Sequence, residues 1–527
     1  MTFKRLLIAN RGEIAIRIAR AASELGIETV AVFAPEDARS LHVRRADRTV
    51  QLKGRGAAAY LDIAGMVEVA RREGCDVVHP GYGFLSENAA FARALTDAGI
   101  AFAGPTPELL DLFGDKLKAK ALARETGVPI ASGTTGATTP EEARAFFSTL
   151  KPGEAALVKA VAGGGGRGMR VVRSVDGLDG ALERCRSEAQ AAFGDGSVYV
   201  EKLMPRARHI EVQIVGDGTG AVTHLWEREC TLQRRHQKLV EIAPSPGLSP
   251  KVRARLIDAA LAMAGKARYL SLGTFEFLVE ADGGDDADFI FIECNPRLQV
   301  EHTVTEMVTG VDLVKTQIAI AGGSTLAAAG LDPACVPPAA GIAIQLRVNM
   351  ETMLPDGATL PASGRLDAFD APSGPGVRVD TFGYSGYETN TSFDSLLAKV
   401  IVHSPDGFTS ALRRADRAIA EFRIEGVETN LGFLRRVIGH PDVVADRVHT
   451  LFIEENAASL APGLADPGGL YFPNEASGIS PTDPRQNAEA PENTVAVSAP
   501  MPGLVVNVIA SAGDVVERGA ELVIIEA

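Results

Sequence analysis

Over the first hundred residues, apolar positions switch between two periods. RLLIAN and IETVAVF are short runs rich in apolar and β-branched residues, and RGEIAIRIARAASELG between them repeats apolar positions at helical spacing until Gly26 stops it. The segment predicts strand, helix, strand. A second cycle follows, with a helix near 62–72, a strand at 75–79, the turn PGYGF, a helix at 88–98 and the strand IAFAG. Residues 1–113 therefore predict an open α/β domain on a parallel sheet. No GxGxxG follows its first strand, which argues against a dinucleotide site there.

From about 130 to 205 the pattern changes to short strands around ALVKAVAGGGGRGMRVV, a helix through 179–192 and the strand VYVEKLM, which predicts a small lid unit within 114–205. Residues 206–450 open with the strands HIEVQIV, AVTHLWE, GTFEFLVE and DFIFIEC and then mix helices with further strands, as a catalytic body would. Between 451 and 493 Pro, Gly, Ser, Asn and Asp crowd together and predict a linker. The last segment, 494–527, alternates short apolar runs with Pro and Gly turns and reads as the first half of a small all-β module.

Composition narrows the possibilities. The 527 residues are 46% hydrophobic and 23% charged, which suits a soluble multidomain protein rather than a disordered one. The formal net charge of -14 repels a nucleic-acid backbone, so no nucleic-acid partner is expected. Five cysteines, at 75, 185, 230, 294 and 335, form no CxxC pair, and the N-terminus lacks a signal-peptide core. No apolar stretch approaches the roughly 20 residues that span a bilayer. These features point to a cytoplasmic protein with no membrane role.

Candidate chemistry clusters in four places. The glycine run at 163–166, followed by Arg167 and Gly168, offers backbone N–H groups to a polyphosphate, with Lys159 just before it. The strand that follows excludes a helix-capped dinucleotide loop, and no GK[ST] is present, so a flap closing over ATP fits best. In FIFIECNPRLQVEH, Glu293 and Asn295 project from one strand face, with Ile290 and Ile292 on the alternate one. Glu276 in GTFEFLVE sits opposite Phe275 and Phe277, and together these oxygen donors suit Mg²⁺ bridged by phosphates. Beyond Pro296, Arg297 and Glu301 supply an anion-binding group and a base. QRRHQK places Gln233, Arg235, His236 and Lys238 within six residues, a cluster suited to phosphate or carboxylate.

Taken together, IANRGEIAIRI, HPGYGFLSEN, VKAVAGGGGRGMRVV, YVEKLMPRARHIEVQI, TLQRRHQKLVEIAPSPG and IECNPRLQVEHTVTEMVTGVDLVK resemble the biotin carboxylases of the ATP-grasp superfamily over residues 1 to about 450. The resemblance implies an α/β and α+β multidomain fold, with a Rossmann-like N-terminal domain, an ATP-grasp lid and an ATP-grasp body. It also implies roles by position. Lys116 and Lys159 should hold ATP phosphates, with Gly165 and Gly166 closing over them. Glu201, Lys202, Leu203, Met204, His209, Gln233 and His236 should border the nucleotide. Glu276 and Glu293 should carry Mg²⁺ or Mn²⁺, with Asn295 assisting. Lys238, Arg297, Gln299 and Val300 should cradle bicarbonate, Glu301 should remove its proton, and Arg347 should stabilise the biotin enolate.

The tail resembles biotinyl carrier domains, of barrel-sandwich type, through APMPG and the final IIEA. The family motif continues past Glu-Ala to an acceptor lysine, which is absent here, so the sequence is expected to be part of something longer with a poorly ordered half-module. The resemblance implies an ATP-dependent carbon–nitrogen ligase that uses ATP, bicarbonate and biotin on a carrier, works with a carboxyltransferase, and is commonly a homodimer. Roughly 40 residues separate body and carrier segment, too few for a transferase domain between them. That spacing favours an acyl-CoA carboxylase of fatty acid metabolism over a pyruvate carboxylase. The rival readings are another ATP-grasp ligase, such as a carbamoyl-phosphate synthetase half, and a non-catalytic carrier scaffold.

Overall fold

A five-stranded parallel sheet opens the chain, in the order Arg48–Gln51, Glu28–Phe33, Arg5–Ile8, Val77–His79 and Ala101–Phe102. Leu6 and Ile8 face one core while Leu7 faces another, so the central strand is buried on both sides, as in helix-covered parallel sheets. The computed structural model describes residues 3–134, 136–161, 169–355, 357–461, 471, 504–510, 513–516 and 522–526. Helices Ile63–Arg72 and Ala89–Asp97 begin where Asp62 and Asn88 accept from the backbone of Gly65 and Phe91, at 3.0 and 2.9 Å.

Three antiparallel strands, Met169–Val172, Ala156–Ala160 and Val198–Lys202, carry helix Leu178–Phe193 on one side, where Val158, Val172, Leu182 and Val200 are buried. These elements fall within 114–205, where the sequence reading expects a lid unit. The expected glycine flap, including Gly165 and Gly166, falls at 162–168 and lies outside the described residues.

The body is one eight-stranded antiparallel sheet. Its order is Phe289–Asn295, Leu270–Glu280, Ala207–Asp217, Val222–Arg234, Gln237–Ala243, Ile342–Asn349, Leu396–Ser404 and Val377–Thr381. Ile210, Val212, Ile214, Phe275 and Phe277 pack beneath helix Pro250–Lys266 through Leu256, Ala260 and Met263. Period-two alternation then turns His209, Glu211, Gln213 and Glu276 to the opposite face.

One strand departs from simple alternation. Strict period two would put Glu293 on the face of Phe291, with Ile290 and Ile292 opposite. In the structure Phe277 pairs with Phe291 but Glu276 pairs with Glu293, so a bulge at Ile292 resets the faces. Phe291 and Cys294 enter the core, and Glu293 joins Glu276.

The segment from 451, expected as the start of a linker, also differs. Helices Phe452–Glu455 and Ala457–Leu460 bury Phe452, Ile453 and Leu460 in the core beneath the sheet. Pro and Gly set in only after 461. Near the end, Leu504–Val508 pairs antiparallel with Val523–Glu526. Among the described residues no helix is long and apolar enough to cross a membrane.

Candidate active site

Four neighbouring strands place a row of charged side chains in register. Glu293 lies opposite Glu276, Glu276 opposite Glu211, and Glu211 opposite Arg228. Like charges facing one another across strands repel, and Glu211 and Glu276 are buried, so the row stands only because cations interleave with it. Arg228, itself without exposed surface, bonds Glu211 and also donates to Gln213 at 2.8 Å and Thr274 at 3.0 Å.

Lys238 is the hub. It reaches back from strand Gln237–Ala243, which a two-residue hairpin at Arg235 and His236, both with positive φ (45° and 68°), folds against Val222–Arg234. Its Nζ donates to Glu211 at 2.6 Å, Glu276 at 2.9 Å and Glu301 at 2.7 Å. Burial alone would lower the Lys238 ammonium, but Cys230 and these carboxylates raise it well above its ordinary value. Conversely, burial would raise the Glu276 carboxyl, yet Lys238 and His209 outweigh it and hold it well below the carboxylate range. His209 Nε2 stands 2.8 Å from the second Glu276 oxygen, while Asn295 donates to the first at 2.8 Å.

Glu301 precedes helix His302–Thr309, with no exposed surface and with its side chain turned to the site rather than capping the helix. Arg347 donates to it at 3.1 Å and to Glu241 at 2.6 Å. Burial would raise the Glu301 carboxyl, but Lys238, Arg347 and Arg228 together hold it below its usual range. Glu241 goes the other way, raised by burial and by Glu301 despite its bond to Arg347. Arg297 donates to Gln299 at 3.1 Å and Asn295 at 3.2 Å, and its other edge bonds Glu87 from the N-terminal domain. Two cations, Lys238 and Arg347, thus bond one carboxylate and Arg297 lies within its field, a setting suited to a small planar anion.

On the lid side, buried Glu201 accepts from both Lys120 and Lys159. Burial would raise its carboxyl, but the two ammonium groups bring it down to about 2. Lys116, at the start of helix Lys116–Glu125, has an ammonium lowered by burial and lies within the field of Glu293, Lys159 and Glu201.

Comparison with known proteins accounts for this arrangement. Residues 2–110 match the "Biotin carboxylase, N-terminal domain", 115–329 the "Carbamoyl-phosphate synthase L chain, ATP binding domain" and 345–455 the "Biotin carboxylase C-terminal domain". A solved biotin carboxylase domain of a single-chain bacterial carboxylase is 51% identical, with a TM-score of 0.76, over 87% of this chain and 98% of that one. The chain belongs to the biotin carboxylases. It is thus the carboxylase part of a biotin-dependent carboxylase, an ATP-dependent ligase. Human mitochondrial pyruvate carboxylase is 47% identical over 458 residues, which are 86% of this chain and 38% of that protein. The chain therefore spans well under half the length of the curated relatives it matches. A single-chain, multi-domain long-chain acyl-CoA carboxylase is 40% identical, with a TM-score of 0.76, over 99% of this chain and 47% of that one.

The residues expected of a biotin carboxylase fall in two groups. Lys238, Glu276, Glu293, Asn295, Arg297, Gln299, Glu301 and Arg347 converge, as do Lys116, Lys159 and Glu201 across the lid. Gln233 is buried as the register partner of Lys238. His209 sits beside Glu276, within the acidic row. The Lys202 side chain turns away to Glu154 at 2.6 Å, and the backbone N–H groups of Lys202 and Leu203 donate to the carbonyls of Ser132 and Ala155 at 2.8 and 2.9 Å, beside Met204. His236 occupies the exposed hairpin turn, and Val300 contributes its carbonyl. Glu211, Glu241, Lys120 and Glu87 went unnoticed in the sequence. Glu211 had a signal, since HIEVQIV places a polar residue at every second position of an apolar strand.

Proposed function

We propose that the chain carries out the carboxylating half-reaction of an acyl-CoA carboxylase. ATP, bicarbonate and a biotinyl carrier would give ADP, phosphate and the carboxylated carrier by way of carboxyphosphate. The observation that carries the reading is the convergence of Lys238 and Arg347 on the buried Glu301 beside the Glu276–Glu293 pair, with Arg297 within the field of Glu301. Lys238 and Arg297 bind the bicarbonate anion. Its negative charge offsets the cations that keep Glu301 a weak base, so the proton affinity of Glu301 rises as substrate enters. Glu301 then takes the bicarbonate proton, the freed oxygen attacks the γ-phosphorus, and the bond to the ADP oxygen breaks. Lys116 and Lys159 stabilise the charge on the phosphates.

Paired carboxylate oxygens and an amide oxygen fit Mg²⁺ or Mn²⁺. Glu276 and Glu293 would hold it, with Asn295 assisting; the ion supplies charge neutralisation on the phosphates. Carboxyphosphate then releases CO2 and phosphate, and Arg347 faces the negative charge that develops on the biotin acceptor. Closure of the lid over this site would keep water from carboxyphosphate.

The acyl-CoA assignment is supported by a likeness that runs over 99% of this chain, carrier segment included, in a long-chain acyl-CoA carboxylase, against 86% in pyruvate carboxylase. A 2-oxo acid acceptor is the second reading, favoured by the higher identity of the pyruvate carboxylases. ADP release with ATP, Mg²⁺ and bicarbonate, with and without free biotin, tests the half-reaction. Release that needs bicarbonate and rises with biotin is expected. Bicarbonate-dependent release indifferent to biotin would point to carbamoyl-phosphate chemistry, and ATP binding without any turnover would sink the assignment. The fuller protein, assayed with acyl-CoA against pyruvate, separates the two acceptors.

A further inference from the structure

The loop 297–301 carries Arg297, Gln299, Val300 and Glu301, yet it lies between strand and helix, so groups outside it must set its backbone. Leu298 anchors one side, fully buried in a core shared with strands Arg5–Ile8 and Val77–His79. On the other side Lys399, also without exposed surface, donates from Nζ to the Val300 carbonyl at 3.0 Å. Lys399 stands directly opposite Arg347 across two paired strands. The two cations thus grip consecutive residues, Lys399 the main chain of Val300 and Arg347 the carboxylate of Glu301.

A buried ammonium requires a counter-charge. Glu13, in the first turn of helix Gly12–Glu24, supplies it at 2.9 Å and also accepts from the Tyr82 hydroxyl. Asn10 fixes the Tyr82 turn in turn, donating to the carbonyls of Pro80 at 2.7 Å and Tyr82 at 2.8 Å. Asp380, the other carboxylate near Lys399 at 4.0 Å, is held in a bidentate pair by Arg378 at 3.0 and 2.7 Å. Charge balance alone would be complete with Glu13 and Asp380. The bond to Val300 is additional, and it ties the loop to the N-terminal domain.

We infer that Lys399 is a positioning residue for carboxylation: clamped by Glu13, it holds the Val300 carbonyl so that Arg297 and Glu301 face the same bicarbonate. This rests on the function proposed above. Misplacement of a reacting group by about an ångström can cost up to about a hundredfold in rate.

The test is steady-state ADP release by the whole chain as Lys399→Met and as the double variant Glu13→Gln/Lys399→Met, with bicarbonate and ATP varied separately. The double variant removes both buried charges, so it remains informative if the single variant does not fold. The expected result is a fall of roughly ten- to a hundredfold in kcat/KM for bicarbonate, with KM for ATP changed less than about twofold, in both variants. Recovery of melting temperature in the double variant should leave the bicarbonate defect in place. A folded variant with unaltered bicarbonate kinetics, or a double variant that regains both stability and rate, would overturn the inference. Wild-type chain without bicarbonate-dependent ADP release would instead remove the underlying function, and this inference with it.

Discussion

Lys238→Met tests the electrostatic account most sharply, because one ammonium serves three buried carboxylates. Arg228 still pairs Glu211 and Arg347 still pairs Glu301 when it is gone, so the loss falls chiefly on Glu276, left with His209, Asn295 and Gln299. Breaking a buried ion pair from one side costs about 3–5 kcal/mol. The cost should depend on pH. In the wild type the Glu276 and Glu301 carboxyls are depressed, so they contribute stability above the ordinary carboxyl value and lose it as pH falls. In the variant, burial of Glu276 is no longer offset by Lys238; its carboxyl rises, and protonation on acidification relieves the penalty. The deficit should therefore be largest at pH 8 and shrink towards pH 5, by at most about 1.4 kcal/mol per pH unit for each proton taken up. Urea unfolding followed through Trp226, the chain's single tryptophan and a member of the same sheet, measures it. A deficit below about 1 kcal/mol at pH 8, or one equal at both pH values, would refute the reasoning.

Three further outcomes are expected. Glu301→Gln keeps the shape of the side chain but not its basicity, and leaves an acceptor for only one of Lys238 and Arg347, so bicarbonate-dependent ADP release should fall about 10²- to 10⁴-fold while ATP still binds, measured by turnover beside nucleotide titration. Glu293→Gln should raise the Mg²⁺ needed for half-maximal turnover by about tenfold, and chelation should abolish turnover reversibly in the wild type, both read from metal titrations at saturating ATP. Gly133→Ala would place a Cβ 2.4 Å from the Val200 carbonyl oxygen where the lid strand meets the preceding segment. It should destabilise by about 1–3 kcal/mol in calorimetry; an unchanged melting temperature would count against that close approach.

Local pattern was enough for much of the architecture. The parallel N-terminal sheet follows from apolar runs separated by helical repeats, and the expected helices near 62–72 and 88–98 are present, capped by Asp62 and Asn88. Glu276, Glu293, Asn295, Arg297 and Glu301 were legible because each is a polar residue where strand alternation or a proline-bounded loop exposes it to one face. The same local rule failed at Ile292, since a bulge is created by the partner strand's register and not by the residue's own neighbours. It failed again at 451–460, where polar, small residues hide four apolar side chains that only packing reveals as core.

What the sequence determined by itself was the set of chemical groups and the strand faces that carry them, because alternation and turn chemistry act over a few residues. Only the tertiary structure decided which charges neutralise which. Glu13, Lys120, Glu211, Glu241 and Lys399 lie far apart in the chain and carry no local signal of pairing. Register across eight strands, a helix from the N-terminal domain and, for Lys120, a strand of the three-stranded sheet bring them within 4 Å of their partners, and it is that burial, with each charge answered by a distant one, that sets the acidity of the site.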